Sequence, residues 1–207
     1  MALMAIMPTI FLRMENESLY ATLKKVTAGR SSREAAARVF DGNTQKIQEL
    51  IRLVFDTDDP VSVKASWVLD LVASADIKVL QPNLEYFAGN LDKVRDESAI
   101  RPLARICEKL LTVLDNGQYP EADLTLTDAQ HHLILAAAFK WLIGPHKVAT
   151  KVFAMRCLYF LGKKTPWVHE ELQEILKEQY ARESSGYKAR ARDTLQKLEA
   201  YKRTPDV

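Results

Sequence analysis

Basic residues recur in this chain at intervals too long for one helix to set. Lys64, Arg101, Lys151 and Lys188 each stand second in four segments that align with one another: VKASWVLDL at 63–71, IRPLARICE at 100–108, TKVFAMRCL at 150–158 and YKARARDTL at 187–195. Arg105 and Arg192 add a second basic position four residues further on in two of them. A column of this kind can follow a phosphate backbone or grip an acidic peptide. It can equally be packing, with each cation lying along the core edge and pairing with a carboxylate such as Asp59, Asp96, Glu97 or Glu183 to lock one repeat to the next. Trp67 lies inside the first segment and Tyr187 opens the fourth, and Trp141, Tyr159 and Trp167 stand near the third. Aromatic rings beside cations can stack on bases or anchor a protein interface, and Trp67 and Trp141 also fit core positions. The candidate ligand-binding residues are therefore Lys64, Trp67, Arg101, Arg105, Lys151, Lys188 and Arg192. Asp70, near Trp67, can be nominated as the carboxylate that base-excision chemistry would want to stabilise a developing positive charge.

Other chemistry finds little support in the residue pattern. His131 and His132 are adjacent and so point to different sides of a helix, which does not make a metal clamp. His169-Glu170 is followed by Gln173 where an H-E-x-x-H signature needs its second histidine. His146, after Gly144-Pro145, reads as part of a helix start. Neither G-x-G-x-x-G nor G-x-x-x-x-G-K-[ST] occurs, and Gly162-Lys163-Lys164-Thr165 lacks the first glycine and the preceding strand of a phosphate loop. The two cysteines, Cys107 and Cys157, sit in apolar helical runs with no C-x-x-C spacing and read as reduced core residues, which suits a cytoplasmic compartment. No catalytic residue, metal site or cofactor is expected.

The elements that must carry the column are helices. Leu19, Leu23 and Val26 mark a short amphipathic helix within 15–29, and Ser31 or Ser32 would cap the next one through Phe40, with Glu34 completing a capping box. Asn43 opens a helix to Val54 with Ile47, Leu50, Ile51 and Val54 as its apolar stripe. Asp58-Asp59-Pro60 stops it and starts another over 61–74. Pro82 begins a helix to about Val94, Ser98 one to Leu114, and Thr127 caps 128–143. Helices at 146–161, 166–180 and 185–201 follow, and DNGQYPEAD at 115–123 is the clearest loop. The aligned segments sit 37, 50 and 37 residues apart, close to the length of a helix pair, with the loop accounting for the long interval. Stacked pairs are how helices bury a second face that one hairpin leaves bare. The expectation is an all-α superhelix of four or five HEAT-like or armadillo-like hairpins over 14–203.

Bulk composition agrees. An apolar fraction of 47 % with 27 % charged residues is that of a folded domain, and a formal charge of +2 is too small to argue for nucleic acid by itself. Residues 1–13, MALMAIMPTIFL and Arg13, read as an apolar extension, either a loose tail or an over-extended start, because the text from Met14 onward reads like an ordinary beginning. They are too short to span a bilayer, and no later run is long enough either.

The runs KASWVLDLV, SAIRPLARICEKL and SSGYKARARDTLQKLE resemble a small family of single-domain HEAT-like proteins found chiefly in Bacteroidetes-type bacteria. The resemblance implies the helical-repeat fold and no particular activity. Some members are labelled adenylosuccinate lyases, which would imply a serine-rich loop of SSxMPxKxN type; Ser31-Ser32 and Ser184-Ser185 are the only serine pairs, and neither continues that way. Other HEAT-like proteins are DNA glycosylases with a basic concave face. The resulting expectation is a helical-repeat adaptor that binds a protein partner on its concave face. The alternative is a nucleic-acid-binding protein that uses the basic column, with glycosylase-like chemistry as its extension.

Overall fold

The computed structural model describes residues 19–40, 42–120 and 123–203, all of it helix, turn or loop with no strand among them. The apolar extension at 1–13 lies outside these residues. Helix α1 is seen over 19–24, followed by α2 (Arg30–Ala37), α3 (Thr44–Phe55), α4 (Val61–Ala75), α5 (Leu84–Asn90), α6 (Glu97–Asp115), α7 (Asp128–Ile143), α8 (Val148–Lys164), α9 (Trp167–Tyr180) and α10 (Ser185–Arg203). These fall into five successive pairs among the described residues, at the upper end of the expectation.

Local chemistry sets most of the boundaries. The Asn43 side chain accepts from Lys46 N at 2.9 Å and starts α3, and Asp59 accepts from Val61 N at 2.8 Å and starts α4 behind Pro60. Thr127 and Gln130 form a reciprocal capping box at α7. The Ser31 capping box does not form. The first helical residue of α2 is Arg30 and its cap is Gly29. Glu34 pairs with Arg30 at 2.7 Å, and Ser32 Oγ accepts from Thr27 N instead. The helix expected from Pro82 to Val94 is divided, because 3-10 turns at Ile77–Asn83 and Leu91–Lys93 flank the two-turn α5.

The second helix of each pair forms one row. Helix α2 packs on α4, α4 on α6, α6 on α8 and α8 on α10. Side-chain contacts show the direction of this row: Trp67 meets Ser98, Asp70 meets Arg105, and Lys109 reaches the Ser74 carbonyl, so α4 and α6 run parallel. Between α6 and α8 the series is Glu97 to Thr150, Cys157 to Ala104 and Asp115 to Lys163. Small residues let the axes approach, since Ala65, Ala104, Ala154 and Ala191 are all completely buried. The predicted stripe Ile47, Leu50, Ile51 and Val54 is buried as well, and each such aliphatic side chain contributes about 1.5–3 kcal/mol. Cys107 and Cys157 are free, fully buried thiols, and burial pushes both well above the ordinary thiol range.

One close approach depends on glycine. A Cβ built on Gly162, in the last turn of α8, would lie 2.0 Å from the His169 ring of α9. That ring stacks on Tyr159, meets Tyr201 edge-on and has Nε2 2.7 Å from the Tyr159 carbonyl.

Candidate functional site

The basic column emerges on the row of second helices, but its members have different fates. Lys64 Nζ donates to the Lys24 carbonyl at 2.5 Å and so caps the end of α1. Lys151 is 9 % exposed, pairs with Glu183 at 2.6 Å and lies over the Tyr187 ring. Lys188 lies over the Tyr180 ring, and Arg192 donates to the Tyr180 hydroxyl at 2.9 Å. Arg105 holds both oxygens of Asp70, each at 2.7 Å. Burial raises the Asp70 carboxyl above its ordinary range, opposed by the hydrogen bonds and charge of Arg105. With both oxygens committed, Asp70 is a tie between α4 and α6.

Further ties join the next helices. Arg156 of α8 pairs with Glu108 of α6 at 2.9 Å, and Lys163 with Asp115 at 2.8 Å. Glu97, at the start of α6, accepts from the Lys147 amide, from Thr150 Oγ1 and from His146 Nδ1 at 2.7–3.0 Å. Burial opposes ionisation of Glu97, and these donors together outweigh it and hold the carboxyl below its ordinary value.

Two members of the column come together. Trp67 and Arg101 line a recess of about 280 Å³ with Glu97 and Ser98, and the structure adds Arg33 from α2 and Lys147 from the start of α8. Lys64, Arg105, Lys151, Lys188 and Arg192 do not line it. The tryptophan is fixed by a consequence of sequence. Pro102 has no N–H to give to the Ser98 carbonyl four residues earlier, and that carbonyl accepts from Trp67 Nε1 at 2.9 Å. Trp67 therefore offers the recess indole carbons and no free donor. Arg33 and Arg101 both lie in electrostatic range of Asp70, whose oxygens Arg105 already holds. Arg33 Nε is buried without a hydrogen-bond partner, and among the described residues Arg101 and the Lys147 side chain have no ion-pair partner.

Arg33 and Lys147 escaped the sequence reading. Arg33 carried a signal, for it stands 31 residues before Lys64 and is followed by Ala35 and Ala36 as the other column members are followed by small residues. Lys147 lies outside its segment, ahead of α8, and is brought in only because Glu97 draws the start of α8 against α6.

The remaining histidines have structural contacts: His131 to Thr165 Oγ1 at 3.1 Å, His132 edge-on to the His131 ring, and His169 to the Tyr159 carbonyl. Among the described residues no group of three or more His, Cys, Asp or Glu is placed to hold a metal ion, and no helix is long and apolar enough to cross a membrane.

This row of parallel second helices, each tied to the next, is what a stacked-repeat family predicts, and the HEAT repeat domain family matches residues 19–198. The chain belongs to that family. No curated protein and no solved structure matches it. The matched span reaches into all five helix pairs, and the packing of each second helix on the next agrees with it.

Proposed function

We propose that this HEAT repeat protein is a non-enzymatic adaptor of the cytoplasm that binds a protein partner through the exposed side of its second-helix row, the side expected to be concave. The observation that carries this reading is how the column's charge is used. Lys64, Arg105, Lys151, Lys188 and Arg192 are each engaged by a carbonyl, a carboxylate or a tyrosine of the same chain. A continuous run of unengaged cations, which a phosphate backbone needs, is not what these side chains form. Preformed helices joined by ion pairs supply instead a rigid surface, which binds a partner with little ordering cost.

Nucleic-acid binding is the competing reading, favoured by the unpaired Arg101 beside the Trp67 ring. Its glycosylase-like extension is weakened because Asp70 is held by Arg105. A Bacteroidetes-type lineage rests on the resemblance of the quoted runs alone, and the lyase label has no catalytic loop in this sequence to support it. Fluorescence anisotropy against labelled single- and double-stranded DNA and RNA, at about 50 and 200 mM salt, separates the two readings. The adaptor reading expects no saturable binding at the lower salt. Micromolar binding that weakens steeply at the higher salt would replace it with the nucleic-acid reading.

A further inference from the structure

We propose that the recess between α2, α4 and α6 is the adaptor's recognition pocket, and that it takes glutamate side chains of an acidic segment in the partner. This rests on the protein-binding reading above and names the chemistry of its site.

Three observations converge. The first is charge: Arg33, Arg101 and Lys147 face one acid, Glu97, whose oxygens are taken up by His146, Thr150 and the Lys147 amide. The second is an unmet requirement, since Arg33 Nε is buried with no acceptor. A buried donor left in that state is destabilising, and the guanidinium, which makes no side-chain hydrogen bond or ion pair among the described residues, keeps its outer nitrogens available for a charge-assisted bond to a carboxylate in the recess. The third is the wall. Trp67 is half-buried and its N–H already donates to Ser98, so it presents hydrocarbon to whatever enters. A flat apolar surface beside guanidinium groups suits a carboxylate on a methylene stem, as in glutamate, better than a compact hydrated phosphate.

The backbone donors nearby point the same way. Ser98 N is occupied by Asp96, and Lys147 N by Glu97, so recognition falls to side chains. Arginine forks provide two parallel bonds to one carboxylate, and Arg101 is exposed where an incoming chain would meet it.

The test is anisotropy with a fluorescein-labelled oligoglutamate peptide on the full chain at about 50 mM salt, with oligoserine as the control. Binding is expected for oligoglutamate alone. Arg101→Gln and Arg33→Gln should each weaken it by about 10-fold or more, the loss of one charge-assisted contact. Lys177→Gln, which removes an exposed cation on α9 already paired with Glu174, should change it by less than about 2-fold. Arg33→Gln should leave the melting temperature unchanged or raised, because it deletes an orphaned buried donor, which separates lost recognition from lost folding. No oligoglutamate binding, or equal weakening by all three variants, overturns the pocket and leaves the adaptor reading standing. Displacement of the peptide by inorganic phosphate at concentrations below the peptide's own Kd overturns it too, by making the recess a phosphate site. Salt-sensitive nucleic-acid binding is the separate result that removes the adaptor reading itself.

Discussion

Replacing Gly162 with alanine adds one methyl group where the structure has no room for it. The new Cβ would lie 2.0 Å from His169 Cδ2 and 2.4 Å from Nε2. A long flexible side chain would swing aside, but this ring is buried, stacked on Tyr159, edge-on to Tyr201 and bonded to the Tyr159 carbonyl. Overpacking of this kind costs about 1–3 kcal/mol. A displaced ring also loses a buried hydrogen bond worth about 1 kcal/mol, while alanine regains at most about 1 kcal/mol over glycine in the last turn of a helix. The net loss is about 1–3 kcal/mol, or a melting temperature lower by roughly 3–10 °C in a chain of this size. Thermal and urea unfolding followed by circular dichroism measure it. His169→Ala removes the obstacle, so in the Gly162→Ala background it should cost at least about 1 kcal/mol less than it does alone. A Gly162→Ala protein as stable as its parent, or strict additivity of the two changes, would refute the packing account.

Burial lowers the affinity of the His131 and His169 rings for protons below the ordinary 6.5. Stability tied to their neutral forms is complete above that value and is lost as pH falls through their depressed folded values, so the urea midpoint should drop as pH is lowered from about 6.5 towards about 5. His169→Gln should flatten the profile, and a flat profile in the parent would contradict it. Trp67→Phe should cost about 1 kcal/mol by leaving the Ser98 carbonyl without its donor. In the Pro102→Ala background, where an N–H is restored four residues on, the same change should cost clearly less, and equal costs would show that Trp67 does not replace the missing helical donor. Lys151→Glu sets two carboxylates together beside Tyr187 and should cost on the order of 2–4 kcal/mol, discounted for partial exposure of the pair. Loss of less than about 0.5 kcal/mol in urea unfolding would show that this position is surface and not a tie.

The fold was legible because its signals are local and repeated. Asn43, Asp59-Pro60 and Thr127 start helices through their own side chains or ring geometry, and each does so in the structure. The aligned segments name the row of second helices because every pair must solve the same burial problem. Where local signals competed, the reading went astray: Ser31 and Glu34 suit a capping box, yet Arg30 takes Glu34 and Thr27 takes Ser32. What a column residue does was not legible. Its partner comes from the neighbouring repeat, so Lys151 and Arg101, identical in alignment, end respectively in a nearly buried ion pair and on an open surface.

That divergence follows from how the repeats are joined. Acids on one second helix meet cations on the next wherever chain direction and spacing bring them level: Asp70 with Arg105, Glu108 with Arg156, Asp115 with Lys163. At the start of α6 the register differs, because Glu97 is taken up by His146, Thr150 and the Lys147 amide. The arginines nearest this corner, Arg33 and Arg101, have Asp70 in range but cannot displace the two bonds it makes to Arg105. Positive charge is left without a carboxylate partner at this corner, beside a tryptophan whose N–H is held by the Ser98 carbonyl. Restoring balance inside the chain would need only one acid near Trp67, so replacing Ser98, which lines the recess, with glutamate should fill it from within. Ser98→Glu should raise the melting temperature and abolish oligoglutamate binding together; stabilisation with binding intact would place the peptide elsewhere on the protein.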